Sequence, residues 1–434
     1  MFDAMNQQKH PVNSAGRILT ASLIGTTIEF FDFYIYATAA VLVFPKLFFP
    51  ATDPTSATLE SLATFALAFF ARPLGAAIFG HFGDRKGRKA TLVAALMTMG
   101  PSTVAIGLLP GYASIGIAAP VLLALFRLGQ GLGLGGEWGG AVLLATENAP
   151  AHKKAWYGMF PQLGAPIGFL LSSGTFFILS KTMSDSSFIS YGWRIPFIAS
   201  ALLVWVGLYV RLKIAETPEF MKMIDNDKQA KVPFADVFIK HTAAITLGTL
   251  ATVTTFLLFY LMTVFTLSWG TSILHYTKSS FLIIQMISML AFGLGILLSA
   301  KLADQYGRNQ MLIAATISIM IFGLVFAPFF TTGSLTITAI FLSVGMFLMG
   351  LTYGPIGTAL AGIFPAAVRY TGASLAFTLA GILGASLTPY LATTLGHKFG
   401  LAYVGYYLTA AALVTLLALL ALLASAKMMK QEVE

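Results

Sequence analysis

The sequence predicts an all-α integral membrane protein whose twelve transmembrane helices form two pseudo-symmetric six-helix bundles. Composition, the spacing of apolar runs and a loop pattern repeated half a chain apart point to it. Of 434 residues, 57% are hydrophobic and 10% charged, against about 25% charged in an ordinary soluble domain. Runs of roughly 20 apolar residues, enough for a helix to cross a hydrocarbon core about 30 Å thick, recur along the whole length. They fall at 17-44, 59-81, 89-109, 117-147, 156-181, 193-212, 242-275, 279-302, 310-330, 334-363, 372-395 and 399-425.

The first run contains "TIEFFDFYIYATAAVLVFP" (Thr27 to Pro45), which sets two acids, Glu29 and Asp32, in an otherwise apolar segment. Three residues apart on a helix, they share a face with Phe33 and Tyr36. These acids distinguish the run from the uninterrupted apolar region of a cleaved signal peptide, so it is expected to stay as the first crossing. The second run carries Arg72 ahead of Pro73, either snorkelling and bracing the helix or touching substrate. The fourth carries Arg127, Gln130 and Glu137. Its "GLGLGGEWGGA" imitates a dinucleotide fingerprint, but no strand precedes it. The glycines there suit close helix packing. Gln130 and Glu137, seven apart, share a face and are candidate cavity residues. Gln162 lies in a fifth helix expected to be interrupted by Pro and Gly.

An ionisable group at membrane depth costs about 2.5 to 3.5 kcal/mol on insertion scales, so it faces the bundle interior or a wet cavity. Glu29, Asp32, Arg72, Arg127 and Glu137 all belong to the first half, and the later runs hold no Asp, Glu, Lys or Arg well inside. Proton chemistry is therefore expected in the first bundle.

The net charge of +9 reports topology rather than a nucleic-acid partner. With an inside N-terminus, one set of loops gathers Arg85, Lys86, Arg88, Lys89, Lys153, Lys154, Arg211, Lys213, Lys301, Arg308 and Arg369. The opposite loops hold only Lys46, Lys181, Arg194, Lys278 and Lys398. This asymmetry places both termini in the cytoplasm. Cysteine is absent, which excludes disulfides and thiolate metal sites. The six histidines are scattered with no i,i+4 pair, so no metal or cofactor is expected. No Gly-x-x-x-x-Gly-Lys loop marks a primary pump, and no nucleophile has a base in local sequence, which argues against an enzyme.

Two loops reveal a repeat. "GHFGDRKGRK" follows the second run and "AKLADQYGRN" the eighth, so Asp84, Gly87 and Arg88 correspond to Asp304, Gly307 and Arg308 at one constant offset of 220 positions. Pro150, Lys154 and Gly158 after the fourth run resemble Pro365, Arg369 and Gly372 after the tenth. The charged stretch with Pro218 and Pro233 suits a cytoplasmic linker. The expected units are 1-212, a linker 213-241, and 242-434. Such paired bundles bind substrate near midplane, between the repeats.

The Asp-x-x-Gly-Arg loop in both halves, with "RLGQGLG" around Arg127, resembles the major facilitator superfamily across nearly the whole chain. More narrowly, "EFFDFYIY", "ARPLGAAIFGHFGDRKGRK", "GGEWGGA", "YGWRIPF" and "ETPEF" resemble the metabolite:proton symporter family of bacterial inner membranes. Carriers of dicarboxylates, citrate, shikimate and betaine-type osmolytes belong to it. The resemblance implies a monomer in the bacterial inner membrane, importing a small molecule with a proton.

On this reading Asp32, with Glu29, exchanges a proton and Arg127 is its electrostatic partner, a role the resemblance also implies for Arg127. Burial favours the neutral acid and a nearby guanidinium the charged one, so water or substrate shifts the balance. The alternative is a permanent ion pair joining the first helix to the fourth. Glu29 and Glu137 are equally open between coupling and structure. Gly80, Asp84, Gly87, Arg88, Asp304, Gly307 and Arg308 form a cytoplasmic gate. In relatives the acid of this loop latches the halves through the start of the eleventh helix, here near Gly372.

Tyr36, Arg72, Gln130, Gln162, Tyr260 and Tyr353 are the expected substrate contacts, the last two because the seventh and tenth helices line the cavity in this superfamily. "GAPIGF" matches the antiporter pattern of the fifth helix incompletely, which leans toward symport. A small organic acid is the first expectation, then a zwitterion such as a betaine or proline, and more remotely a transporter-like sensor. The short segment after the last run argues against an osmosensing carrier with a long tail. Sodium remains an alternative to the proton, although carboxylates opposed by an Arg make a poor sodium cage. The expected partners are the substrate, the proton and the lipid bilayer.

Overall fold

The computed structural model describes residues 14–50, 53–213, 221 and 233–431, with side chains at 84, 88, 233–236, 367 and 426–431 outside the description. Most of the expected linker is therefore outside the described residues. Its end is a short helix, Pro233–Lys240.

Apolar runs become helices because in hydrocarbon every backbone polar group must bond within its own segment. The first bundle comprises α1 (Ala15–Leu42), α2 (Pro54–Lys86), α3 (Arg88–Leu108), α4 (Ala118–Glu147), α5 (Lys154–Thr182) and α6 (Arg194–Leu212). The second begins with α7 (Thr242–Tyr260), which continues through a π-turn at Leu261–Phe265 into Thr266–Ser272. Then follow α8 (Lys278–Tyr306), α9 (Arg308–Leu324) and α10 (Leu335–Ala361). Next is α11 (Arg369–Gly381), extended through a second π-turn at Ile382–Ser386 into Thr388–Phe399, and α12 (Leu401–Gln431) closes the bundle. Among the described residues eleven helices are long and apolar enough to cross a membrane, and α9 is a shorter apolar helix. Several helices outrun their apolar cores because polar caps continue them. Asp53 caps α2, accepting from the Ser56 amide at 2.9 Å and hydroxyl at 3.0 Å, and these bonds hold its carboxyl below the usual range.

The repeated loop has a backbone reason. Gly87 (φ 113°) and Gly307 (φ 99°) are the single residues that turn α2 into α3 and α8 into α9. That conformation is open to glycine and strained for other residues. Glycine also sets helix distance: a Cβ at Gly131 or Gly135 of α4 would strike the carbonyl oxygen of Ala68 or Arg72 in α2. Small residues let membrane helices approach this closely. The fifth helix departs from expectation, since α5 runs unbroken through Pro161 and Pro166; the interruptions are the π-turns of α7 and α11.

The bundles meet on both faces. On the terminal face, where α1 begins and α12 ends, Asp304 accepts the amides of Ala155 (Oδ1, 3.0 Å) and Trp156 (Oδ2, 3.0 Å) at the start of α5. A carboxylate there answers both unpaired N–H groups and the positive end of the helix, worth roughly 0.3–1 kcal/mol at an exposed site. In the other repeat, the end of α2 meets the start of α11: Gly80 faces Thr371, and Gly83 faces the Tyr370 ring, whose hydroxyl donates to Gly136 O. The side chains of Asp84 and Arg88 lie outside the description. Arg308 donates to Thr358 O at 2.9 Å, within its own bundle. On the opposite face Lys278 pairs with Asp185 at 3.4 Å, an exposed bridge worth about 0–1 kcal/mol.

Gly135→Val is expected to cost about 1–3 kcal/mol by overpacking, read as a lower melting temperature of the purified protein. Gly16→Ala, with nothing within 4 Å of its added carbon, should leave it unchanged. Asp304→Ala is expected to populate conformers opened at the terminal face. Spin labels on cysteines introduced at Lys153 and Tyr306 into this cysteine-free chain would show a longer distance, whereas an unchanged distribution would deny the latch.

Candidate functional site

Between the bundles, at mid-height of α1, lies a cavity with about 30 Å³ of water-accessible space. That admits a water or two but no metabolite, and bundle contacts on both faces enclose it. Two charged side chains line it: Glu29 from α1 and Arg72 from α2. The rest is mostly aromatic. Trp138 of α4 stacks on Phe377 of α11 across the bundle boundary, with ring centroids 3.6 Å apart and planes 6° from parallel. Tyr34 stacks on Phe259 of α7 at 5.5 Å, and Tyr260, Tyr353 and Thr378 add polar groups to the lining.

The Arg72 guanidinium sits 4.5 Å from the ring centroids of both Phe33 and Phe69. Two aromatic faces hold a buried cation without neutralising it, and no carboxylate pairs with it within 4 Å among the described residues. It therefore remains available to an anion in the cavity. Gln162 lies at the cavity's edge, accepting from Trp138 Nε1 at 3.0 Å and donating to Tyr353 O at 2.9 Å. One amide thus ties the stacked indole to the second bundle.

Behind the cavity a second polar cluster fills the first bundle. Asp32, wholly buried, accepts from Ser200 of α6 at 2.6 Å. Arg127, also wholly buried, donates to Phe65 O at 3.4 Å and to Gln130 Oε1 at 2.9 Å. Its guanidinium lies 3.9 Å from the Tyr36 ring centroid and 4.3 Å from that of Phe33. Gln130 donates to Thr103 at 2.8 Å, and Tyr36 to Thr64 at 3.0 Å. Asp32 and Arg127, expected as electrostatic partners, form no ion pair within 4 Å: the acid turns to α6, while the guanidinium turns to α2 and the rings. Tyr36 and Gln130, expected at substrate, also lie outside the cavity lining. Of the expected contacts, Arg72, Tyr260 and Tyr353 line it and Gln162 borders it.

Glu137 does not face the cavity either. It forms a buried ion pair with Arg211 of α6, which also donates to Leu92 O at 2.8 Å. Isolated buried charges are costly and paired ones far less so. Arg211 was counted in sequence as a loop cation, because a snorkelling Arg and a buried one look alike at a helix end. Tyr34, Trp138 and Phe377 were also missed. Trp138 is adjacent to Glu137 in the Gly-rich stretch, and an aromatic flanked by glycines at that depth was the available signal.

A family model described as "Sugar (and other) transporter" matches residues 18–249. The inner membrane metabolite transport protein YhjE of Escherichia coli (strain K12) is 55% identical over 95% of each chain. The shikimate transporter of the same organism is 36% identical over 88% of each. The proline/betaine transporter of Salmonella typhimurium is 32% identical, over 92% of this chain and 82% of that one. Among solved structures, the proton:xylose symporter XylE bound to 6-bromo-6-deoxy-D-glucose shares the fold, with a TM-score of 0.72 at 17% identity over 94% of each chain. From the family model and the full-length relatives, the chain belongs to the sugar (and other) transporter family, and it shares the fold of the XylE symporter.

Proposed function

We propose that the protein imports a small organic acid together with a proton, by alternating access of the central cavity to the two membrane faces. One observation carries the reading: Arg72, with no carboxylate partner within ion-pair distance among the described residues, and Glu29 face the same space between the bundles. Arg72 receives the substrate carboxylate, and the aromatic walls cover its apolar body. Glu29 carries the proton, because an acid in a closing cavity is neutral when dry and loses its proton when water reaches it. Asp32, with its hydroxyl partner on α6, is a second proton site set back from the cavity.

The other candidate acids are engaged elsewhere, Glu137 with Arg211 and Asp32 with Ser200. Hence they do not compete for Arg72, which favours an anionic substrate. A zwitterion such as a betaine is the second reading, favoured by the same aromatic box, since stacked rings and Glu29 suit a quaternary ammonium. The shikimate and proline/betaine transporters among the relatives support both classes. The name of the 55% identical relative supports placement in a bacterial inner membrane, and the basic loops support a cytoplasmic terminal face. The bundles close their own cavity within one chain, which supports a monomer.

Screening the purified protein for thermal stabilisation by organic acids and betaines, then testing each hit by counterflow in proteoliposomes, decides the class. Arg72→Gln is expected to weaken binding of a carboxylate hit by about 10- to 100-fold, matching the roughly 1.5–3 kcal/mol of a charged hydrogen bond; unaltered affinity would remove Arg72 from the site. Glu29→Gln is expected to keep counterflow while losing accumulation driven by an imposed pH gradient in sodium-free buffer. Full gradient-driven accumulation by that variant would refute Glu29 as the proton carrier.

A further inference from the structure

Between the cavity and the terminal face one guanidinium stands among two buried carboxyls. Glu29 lines the cavity, 4% exposed, and its Oε2 has no hydrogen-bond partner among the described residues. One helical turn nearer the terminal face, Gly25 leaves a notch on α1. Arg211 packs into it, with Nη2 3.1 Å from where a Cβ would stand. The same Nη2 pairs with Glu137 of α4, and Nη1 bonds Leu92 O of α3 at 2.8 Å. Residues 25 and 29 are an i,i+4 pair on one face of α1, so the guanidinium lies beside the path from Glu137 to Glu29.

Among the described residues, the charged and titratable groups within electrostatic reach of Glu29 are Arg211 of α6, Arg72 of α2, Asp32 of its own helix, Tyr34 and Tyr353. Around Arg211 they are Glu29, Glu137 and Tyr370. When substrate occupies Arg72, one cation is left for two acids. In a dry interior a guanidinium neutralises one carboxylate well, and the other must hold a proton.

We propose that Arg211 is a movable counterion, held by Glu137 while Glu29 carries a proton and drawn along the Gly25 notch toward Glu29 when that proton leaves and Glu137 takes up one in its place. This rests on Glu29 as the proton carrier proposed above and adds a positioning residue for the proton step. Nη1 keeps its bond to Leu92 O as a pivot while Nη2 changes partner, a division of labour that a fork of several donors permits. The glycine is required because any side chain at position 25 narrows the passage. Departure of the proton thereby alters the bond between α4 and α6 and links the cavity's charge to the packing of the first bundle.

The test is infrared titration of carboxyl protonation in the full-length protein in lipid vesicles, with the Glu29 signal assigned by its loss in Glu29→Gln. In a double-mutant cycle, Arg211→Gln should raise the proton affinity of Glu29 about tenfold more in the Glu137→Gln background than in the wild type, because Glu29 there holds the guanidinium outright. Gly25→Ala should raise that affinity in the otherwise wild-type chain, as Arg211→Gln does. Equal effects of Arg211→Gln in both backgrounds, with none from Gly25→Ala, would make Arg211 a fixed brace for Glu137 and overturn the proposal. If Glu137→Gln does not fold, the Gly25→Ala result decides alone. Failure of Glu29 to titrate at any accessible pH in the wild type would instead strike the proton-carrier reading itself.

Discussion

The cost of a charge in hydrocarbon organises this molecule. Each ionisable group at membrane depth must find a partner, a proton or water, and the first bundle supplies the partners one by one. Glu137 has Arg211, Asp32 has Ser200, and Arg127 has a carbonyl, an amide oxygen and aromatic faces. Asp32 keeps its second oxygen without a hydrogen-bond partner among the described residues, and two groups remain at the interface with the second bundle: Arg72, held between two rings, and Glu29, whose Oε2 likewise has no partner among them. Their remaining demand for charge or water is what a cavity that opens alternately to two faces can satisfy.

The two bundles contribute unequally. The first brings charge, and the second brings shape: Phe256, Phe259, Tyr260, Tyr353 and Phe377 form most of its share of the cavity wall. Both of its discontinuities, the π-turns at Leu261–Phe265 and Ile382–Ser386, lie in α7 and α11, the helices that carry four of these five rings. Helix irregularity at membrane depth is tolerated where protein or a wet cavity covers it. The closures are likewise of different kinds. Asp304 caps α5 with a carboxylate, while α2 and α11 meet through glycines and a tyrosine. The pseudo-symmetry therefore supplies the scaffold for contacts of different strength.

The fold was legible because apolar length and a repeated glycine turn are one-dimensional signals. The Asp, Gly and Arg shared by the two loops announce the two-bundle design, and the structure gives the glycine its reason, since the same positive φ is needed twice. The site was legible only by helix, not by azimuth. A helix turns about 100° per residue, so Glu29 and Asp32 differ by about 60° in direction, enough to send one to the cavity and the other to α6. The same geometry separates Tyr34, which lines the cavity, from Tyr36, which lies under Arg127. Arg72, Tyr260 and Tyr353 were legible as cavity-lining because each faces inward on a helix at the bundle boundary. Arg211 was not legible as a buried group, because its position near the end of α6 hides how far its side chain reaches back toward Gly25.

The central claim is that substrate charge and transported proton meet in one cavity. A structure with a transported carboxylate compound bound tests it most directly. The account expects the carboxylate within hydrogen-bonding distance of the Arg72 guanidinium, the body of the compound against Trp138 and Tyr260, and Glu29 within the same enclosed space. A compound seated away from Arg72, or a cavity from which Glu29 is walled off while the compound is bound, would contradict it.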